Sequence, residues 1–151
     1  INKNMGRPIK TKFMPKNPAK YKGDHRKIVS RSSWEKRCMN WFDTTDNVIA
    51  WSSEEVIVPY RDPFTGRARR YFPDFVIRMR RGDGKIQTVM IEVKPDGQTR
   101  PPKTQKNRTK RYINEVYTWG INKNKWEQAR LYCAKRDWDF QIWTEKNMGF
   151  T

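Results

Sequence analysis

A chain of 151 residues leaves room for one domain and some tail, since a core of ordinary size consumes most of that length. Its 33 Lys and Arg against 16 Asp and Glu give a net charge of +17, a field that selects polyanions, with nucleic acid expected first and anionic membrane behind it. No run of about 18 apolar residues occurs, so no membrane-spanning helix is expected, and seven Trp, seven Phe and six Tyr argue against disorder throughout.

Residues 1 to 31 carry ten Lys and Arg against one acid, Asp24, with Pro8, Pro15 and Pro18 and no apolar period. The composition predicts an extended basic arm over residues 1–30 and a folded domain over 31–151. Ser32 or Ser33 can cap a helix reaching about Asp43, with Trp34, Cys38 and Trp41 on one stripe.

Three strands are expected next, over 48–60, 69–80 and 86–94, each rich in β-branched or aromatic residues. The clusters Asp62-Pro63-Phe64-Thr65-Gly66 and Gly82-Asp83-Gly84 would join them as hairpins. From about Lys106 the pattern turns helical, with Ile113, Val116 and Tyr117 on one face up to Gly120. A second helix from near Asn122 carries Trp126, Ala129 and Cys133, and residues 139–144 alternate as a last strand. That order implies an α/β fold of the α+β mixed kind, a mixed central sheet flanked by helices, because the final strand returns only by a helical crossover.

Within the third strand the period of two places Met90, Glu92 and Lys94 on one face and Val89, Ile91 and Val93 on the other. Upstream, Asp74 follows Pro73 in an otherwise apolar stretch, where a proline suits a bulge or strand edge, so Asp74 and Glu92 can converge from adjacent strands. Two carboxylates suit a hard cation such as Mg²⁺ (or Mn²⁺), with the Val93 carbonyl as a further ligand. Such an ion would lower the pKa of a bound water, while Lys94 would orient that water or neutralise a phosphate.

Asp74 followed by Glu92-Val93-Lys94, on the second and third strands after an initial helix, resembles the core of the PD-(D/E)XK nucleases. The chain is more specifically similar to the phage head completion nuclease family of the T4-like type, over about residues 15 to 150. The shared motifs are Pro15-Lys16-Asn17-Pro18, Arg31-Ser32-Ser33-Trp34-Glu35, Arg69-Arg70-Tyr71, Glu92-Val93-Lys94-Pro95, Pro101-Pro102, Lys125-Trp126 and Thr144-Glu145. The resemblance implies a restriction-endonuclease-like fold and a metal-dependent DNA endonuclease. Such an enzyme would act on packaged DNA ends in the host cytoplasm, before the tail joins, with portal or neck proteins as further partners. It also implies that Glu35 adds an acid to the metal site.

Several residues carry a second reading. Glu35 also fits a capping box with Ser32, and Glu92 with Lys94 a solvated ion pair. Arg69, Arg70, Lys103, Lys106, Arg108, Lys110 and Arg111 are expected phosphate contacts, although a strand edge alone would account for the first two. Trp119, Trp126, Trp138 and Trp143 read as core, Cys38 and Cys133 as reduced thiols within helices, and His25, the only histidine, as a bystander. An alternative from another class is a head or neck structural protein that binds DNA without cutting it.

Overall fold

The computed structural model describes residues 10–148. Its centre is a four-stranded mixed sheet in the order β3-β6-β7-β8. β3 (Val48–Ser53), β6 (Phe75–Arg80) and β7 (Ile86–Val93) run antiparallel, and β8 (Asp139–Trp143) lies parallel to β7. The parallel pairing follows from the crossover through α2 (Lys110–Ala134), as the order of elements requires.

Helices cover both faces. α1 (Ser33–Thr44), capped by Ser32, buries Trp34, Cys38, Met39 and Phe42 with Ile77, Val89, Ile91 and Val93. On the opposite face α2 packs Trp126, Ala129 and Cys133 against Met90. Two-sided burial explains the consecutive apolar residues Val89, Met90 and Ile91 in β7. It also keeps the two free thiols apart: Cys38 lies in one cluster and Cys133 in the other.

Four sequence expectations are corrected. The 48–60 and 69–80 strands each break in two, because β4 (Val58–Arg61) and β5 (Ala68–Tyr71) leave the sheet as a separate hairpin around the buried Asp62. The expected pair of helices is a single 25-residue α2 that runs through Gly120. There Phe64 of the hairpin turn crosses the helix so closely that a Cβ would sit 2.7 Å from its ring, so this glycine provides clearance rather than a helix end. Ile113, Val116 and Tyr117 are exposed, since only the C-terminal half of α2 reaches the sheet; Trp41 is likewise 42% exposed and Phe42 takes the core position.

The fourth correction concerns the arm. Residues 1–9 lie outside the described residues, but 10–30 form part of the folded unit. β1 (Thr11–Lys12) pairs with β2 (Val29–Ser30), and Phe13, Tyr21 and Ile28 are buried. The Pro15-Lys16-Asn17-Pro18 motif docks on the end of α1: the amides of Lys16 and Asn17 donate to the Asp43 carboxylate at 2.8 and 3.0 Å. Lys20 Nζ caps the helix by donating to the carbonyls of Asp43 and Thr45. Tyr21 packs edge-on against Trp51, and its hydroxyl donates to the Ser53 carbonyl and accepts from the Ser53 amide. The apolar residues here are too widely spaced to show a period, because the segment is anchored by single side chains and backbone hydrogen bonds.

Candidate active site

β6 begins at Phe75, and Pro73 and Asp74 just before it turn the chain into the sheet. Asp74 Oδ2 accepts the backbone N–H of Val93 at 2.7 Å, which brings this acid to the end of β7 between Glu92 and Lys94. Glu92 projects toward the α2 side, is only 6% exposed, and accepts a hydrogen bond from the Tyr71 hydroxyl of the hairpin. A solvated Glu92–Lys94 pair is therefore excluded. The Lys94 amide donates to the Trp143 carbonyl of β8, so the end of β7 is fixed on both flanks.

Burial dominates the electrostatics. It pushes the Asp74 carboxyl up to about 6, opposed by the Val93 amide and the Lys94 charge, and it pushes Glu92 up to about 7, opposed by Lys94 and Lys125. Two carboxylates held above their ordinary range beside one or two ammonium groups would be relieved by a divalent cation. The donor set fits Mg²⁺, which is held by one or two carboxylates and keeps waters for the rest of its shell. Among the described residues no three His, Cys, Asp or Glu are grouped to hold a metal together, so Glu35 does not join Asp74 and Glu92 in a three-acid cage.

Glu35 combines parts of both its readings. Its amide donates to Ser32 Oγ at 3.1 Å, the helix-capping half of the box, while its carboxylate accepts from the Ser32 hydroxyl at 3.3 Å. Burial, then the charges of Asp74 and Glu54, push that carboxyl up to about 7. It therefore shares the electrostatic field of Asp74.

Glu54 is an acid the sequence reading passed over, since Ser52-Ser53-Glu54-Glu55 reads as the middle of a strand. It closes β3 in the left-handed region at φ 55°, a conformation costly for a non-glycine residue, and its amide donates to the Asp74 carbonyl at 3.2 Å. Arg31 Nε grips both its oxygens at 2.9 and 3.1 Å. Tyr71 and Lys125 were also missed, although both lie within motifs shared with the resembled family.

The expected phosphate contacts divide. Pairing of Tyr60 with Arg69 and Pro59 with Arg70 puts the two arginines on opposite faces of the hairpin. Arg69 approaches the buried Asp62 at 3.7 Å, whereas Arg70 lies over the Phe72 ring. Lys103, Lys106, Arg108, Lys110 and Arg111 are exposed on the loop after β7 and the first turn of α2, with Arg111 bonded to Glu115. A cleft of about 1100 Å³ opens between that loop and α2, lined by Arg100, Pro102, Arg111, Trp119 and Asn122 among others.

Residues 45–145 match the sequence model of the family described as TnsA-like endonuclease N terminal. The head completion nuclease of Enterobacteria phage T4 is 40% identical over 141 residues, covering 91% of each chain. No solved structure matches the chain.

Proposed function

The chain belongs to the TnsA-like endonuclease family and to that of the T4 head completion nuclease, and on that basis we propose that it is a divalent-metal-dependent DNA endonuclease acting on phage DNA during head completion. The observation that carries this reading is the hydrogen bond from the Val93 amide to Asp74, which sets that acid at the residue between Glu92 and Lys94, with the Lys94 charge felt by both carboxyls.

Asp74 and Glu92, with the Val93 carbonyl, would hold a Mg²⁺ or Mn²⁺ ion, and Glu35 would add its charge to the same site. When bound, the ion supplies a hydroxide-like nucleophile at neutral pH and charge to offset the transition state. Lys94 Nζ holds the attacking water or the phosphate oxygen, and Tyr71 keeps the Glu92 carboxylate aimed through its hydroxyl. The basic run from Lys103 to Arg111, of which Arg111 lines the cleft, tracks the DNA backbone, and Arg70 reaches it from the other face of the hairpin, a positioning role without sequence readout. Packaged DNA ends are the substrate we favour, with host cytoplasm as the place of action and portal or neck proteins as neighbours.

A DNA-binding head protein freed from catalysis would have no use for two carboxylates whose burial disfavours their charge, so the structural alternative is weaker. Incubation of the protein with linear, branched and circular DNA, with and without Mg²⁺, tests the reading. Absence of metal-dependent cleavage on all three would remove it.

A further inference from the structure

Lys125 projects from the sheet-facing half of α2 into the space between the hairpin and β7. Its ammonium lies 5.5 Å from the ring centroid of Tyr71 and 5.7 Å from that of Tyr60, within range for cation–π attraction to both. Among the described residues it makes no hydrogen bond or contact ion pair, yet it feels the charges of Glu92, Lys94 and Asp74.

The Tyr71 side chain has two roles in this arrangement. Its hydroxyl is bonded to Glu92, and its ring face carries Lys125. A lysine whose purpose was to neutralise Glu92 would close onto the carboxylate; here the phenol already occupies Glu92, and the ammonium rests on aromatic faces. Cation–π attraction uses none of the three N–H donors, so this partly buried cation can still take an oxygen acceptor. A phosphodiester oxygen supplies both the charge and the acceptor.

We propose that Lys125, cradled by Tyr60 and Tyr71, is a second phosphate-binding cation of the active centre and contacts the DNA backbone from the α2 side while Lys94 acts from β7. The proposal rests on the reading of Asp74, Glu92 and Lys94 as the active centre. The acids support it: Asp74, Glu92 and Glu35 outnumber Lys94 at the centre, Glu54 being gripped by Arg31, so Lys125 supplies a second positive charge toward an incoming phosphate. The register of the β4–β5 hairpin puts Tyr60 and Tyr71 on one face, so both rings are available to Lys125.

The test uses Lys125→Met, which keeps an apolar stem over the rings, with Lys125→Gln as a second neutral variant and Lys125→Arg as the conservative one. Each is made in the full chain carrying Asp74→Asn, and duplex DNA binding is measured in Ca²⁺ at several salt concentrations. The slope of log K against log salt should become shallower by about 0.9 in the Met and Gln variants and be retained with Arg. In the otherwise wild-type chain, Lys125→Met should lower kcat/KM by about tenfold or more. An unaltered salt slope in both the Met and Gln variants would make Lys125 only the counter-charge of Glu92 and overturn the proposal. Cleavage that survives Asp74→Asn alone is a separate result: it would refute the reading of the active centre, while the salt slopes would still report the Lys125 contact.

Discussion

The Asp74 carboxylate and the Val93 amide, 19 residues apart, are joined by a hydrogen bond of 2.7 Å. That bond fixes one acid at the peptide linking Glu92 to Lys94, so the three candidate catalytic residues are positioned by one backbone contact rather than by flexible side chains alone. Asparagine at 74 can still accept from Val93 but brings no charge. Asp74→Asn and Glu92→Gln should each reduce Mg²⁺-dependent cleavage by at least about 10²-fold while leaving duplex binding within a few-fold of wild type. Single-turnover cleavage alongside binding isotherms checks this, and full activity in both variants would refute the site.

Lys94→Ala should lower kcat much more than it raises KM, because its charge matters most as the attack develops. A change confined to KM would reassign Lys94 to ground-state binding.

Burial raises the carboxyls of Asp74 to about 6 and of Glu92 to about 7, above the unfolded value near 4. Between about pH 4 and 7 the folded state therefore holds protons that the unfolded chain has released. This contribution to stability is complete below about pH 4 and is lost as pH rises through 7. In EDTA, melting temperature should fall over that window more steeply in wild type than in Glu92→Gln, and Mg²⁺ should restore it most at and above pH 7. Parallel melting curves for the two proteins would show that Glu92 titrates normally.

Glu35→Gln preserves the amide hydrogen bond to Ser32 but removes a charge beside Asp74. The acidic limb of the cleavage pH profile should move to lower pH, with helix content unchanged by circular dichroism. An identical profile would leave Glu35 with its capping role alone.

Deleting residues 10–30 should destroy the fold rather than merely weaken DNA binding. It would strip Trp51 of Tyr21 and Phe13 and leave Asp43 without its amide donors. Tyr21→Ala alone should cost about 3–5 kcal/mol, by analogy with other buried aromatic truncations, read by urea denaturation. A cooperative transition of undiminished midpoint in the deletion variant would return this segment to the status of an arm.

Periodicity and local chemistry were sufficient for α1 and its Ser32 cap, for β7 and β8, and for the opposite facing of Glu92 and Val93, because each depends on neighbours within one element. Asp74, Glu92 and Lys94 could be selected from the sequence for the same reason: strand alternation and a proline beside an acid are local signals. Tertiary structure alone decided the rest. Glu54 reaches the Asp74 neighbourhood through a left-handed residue that ends β3, Tyr71 reaches Glu92 because a hairpin leaves the sheet, and Lys125 arrives on a helix that runs on through Gly120. Tyr21 and Asp43 tie a segment without apolar period to the core, through contacts spanning more than 20 residues. Such contacts leave no periodic trace in sequence, since burial there depends on where the chain folds back and not on the spacing of adjacent side chains.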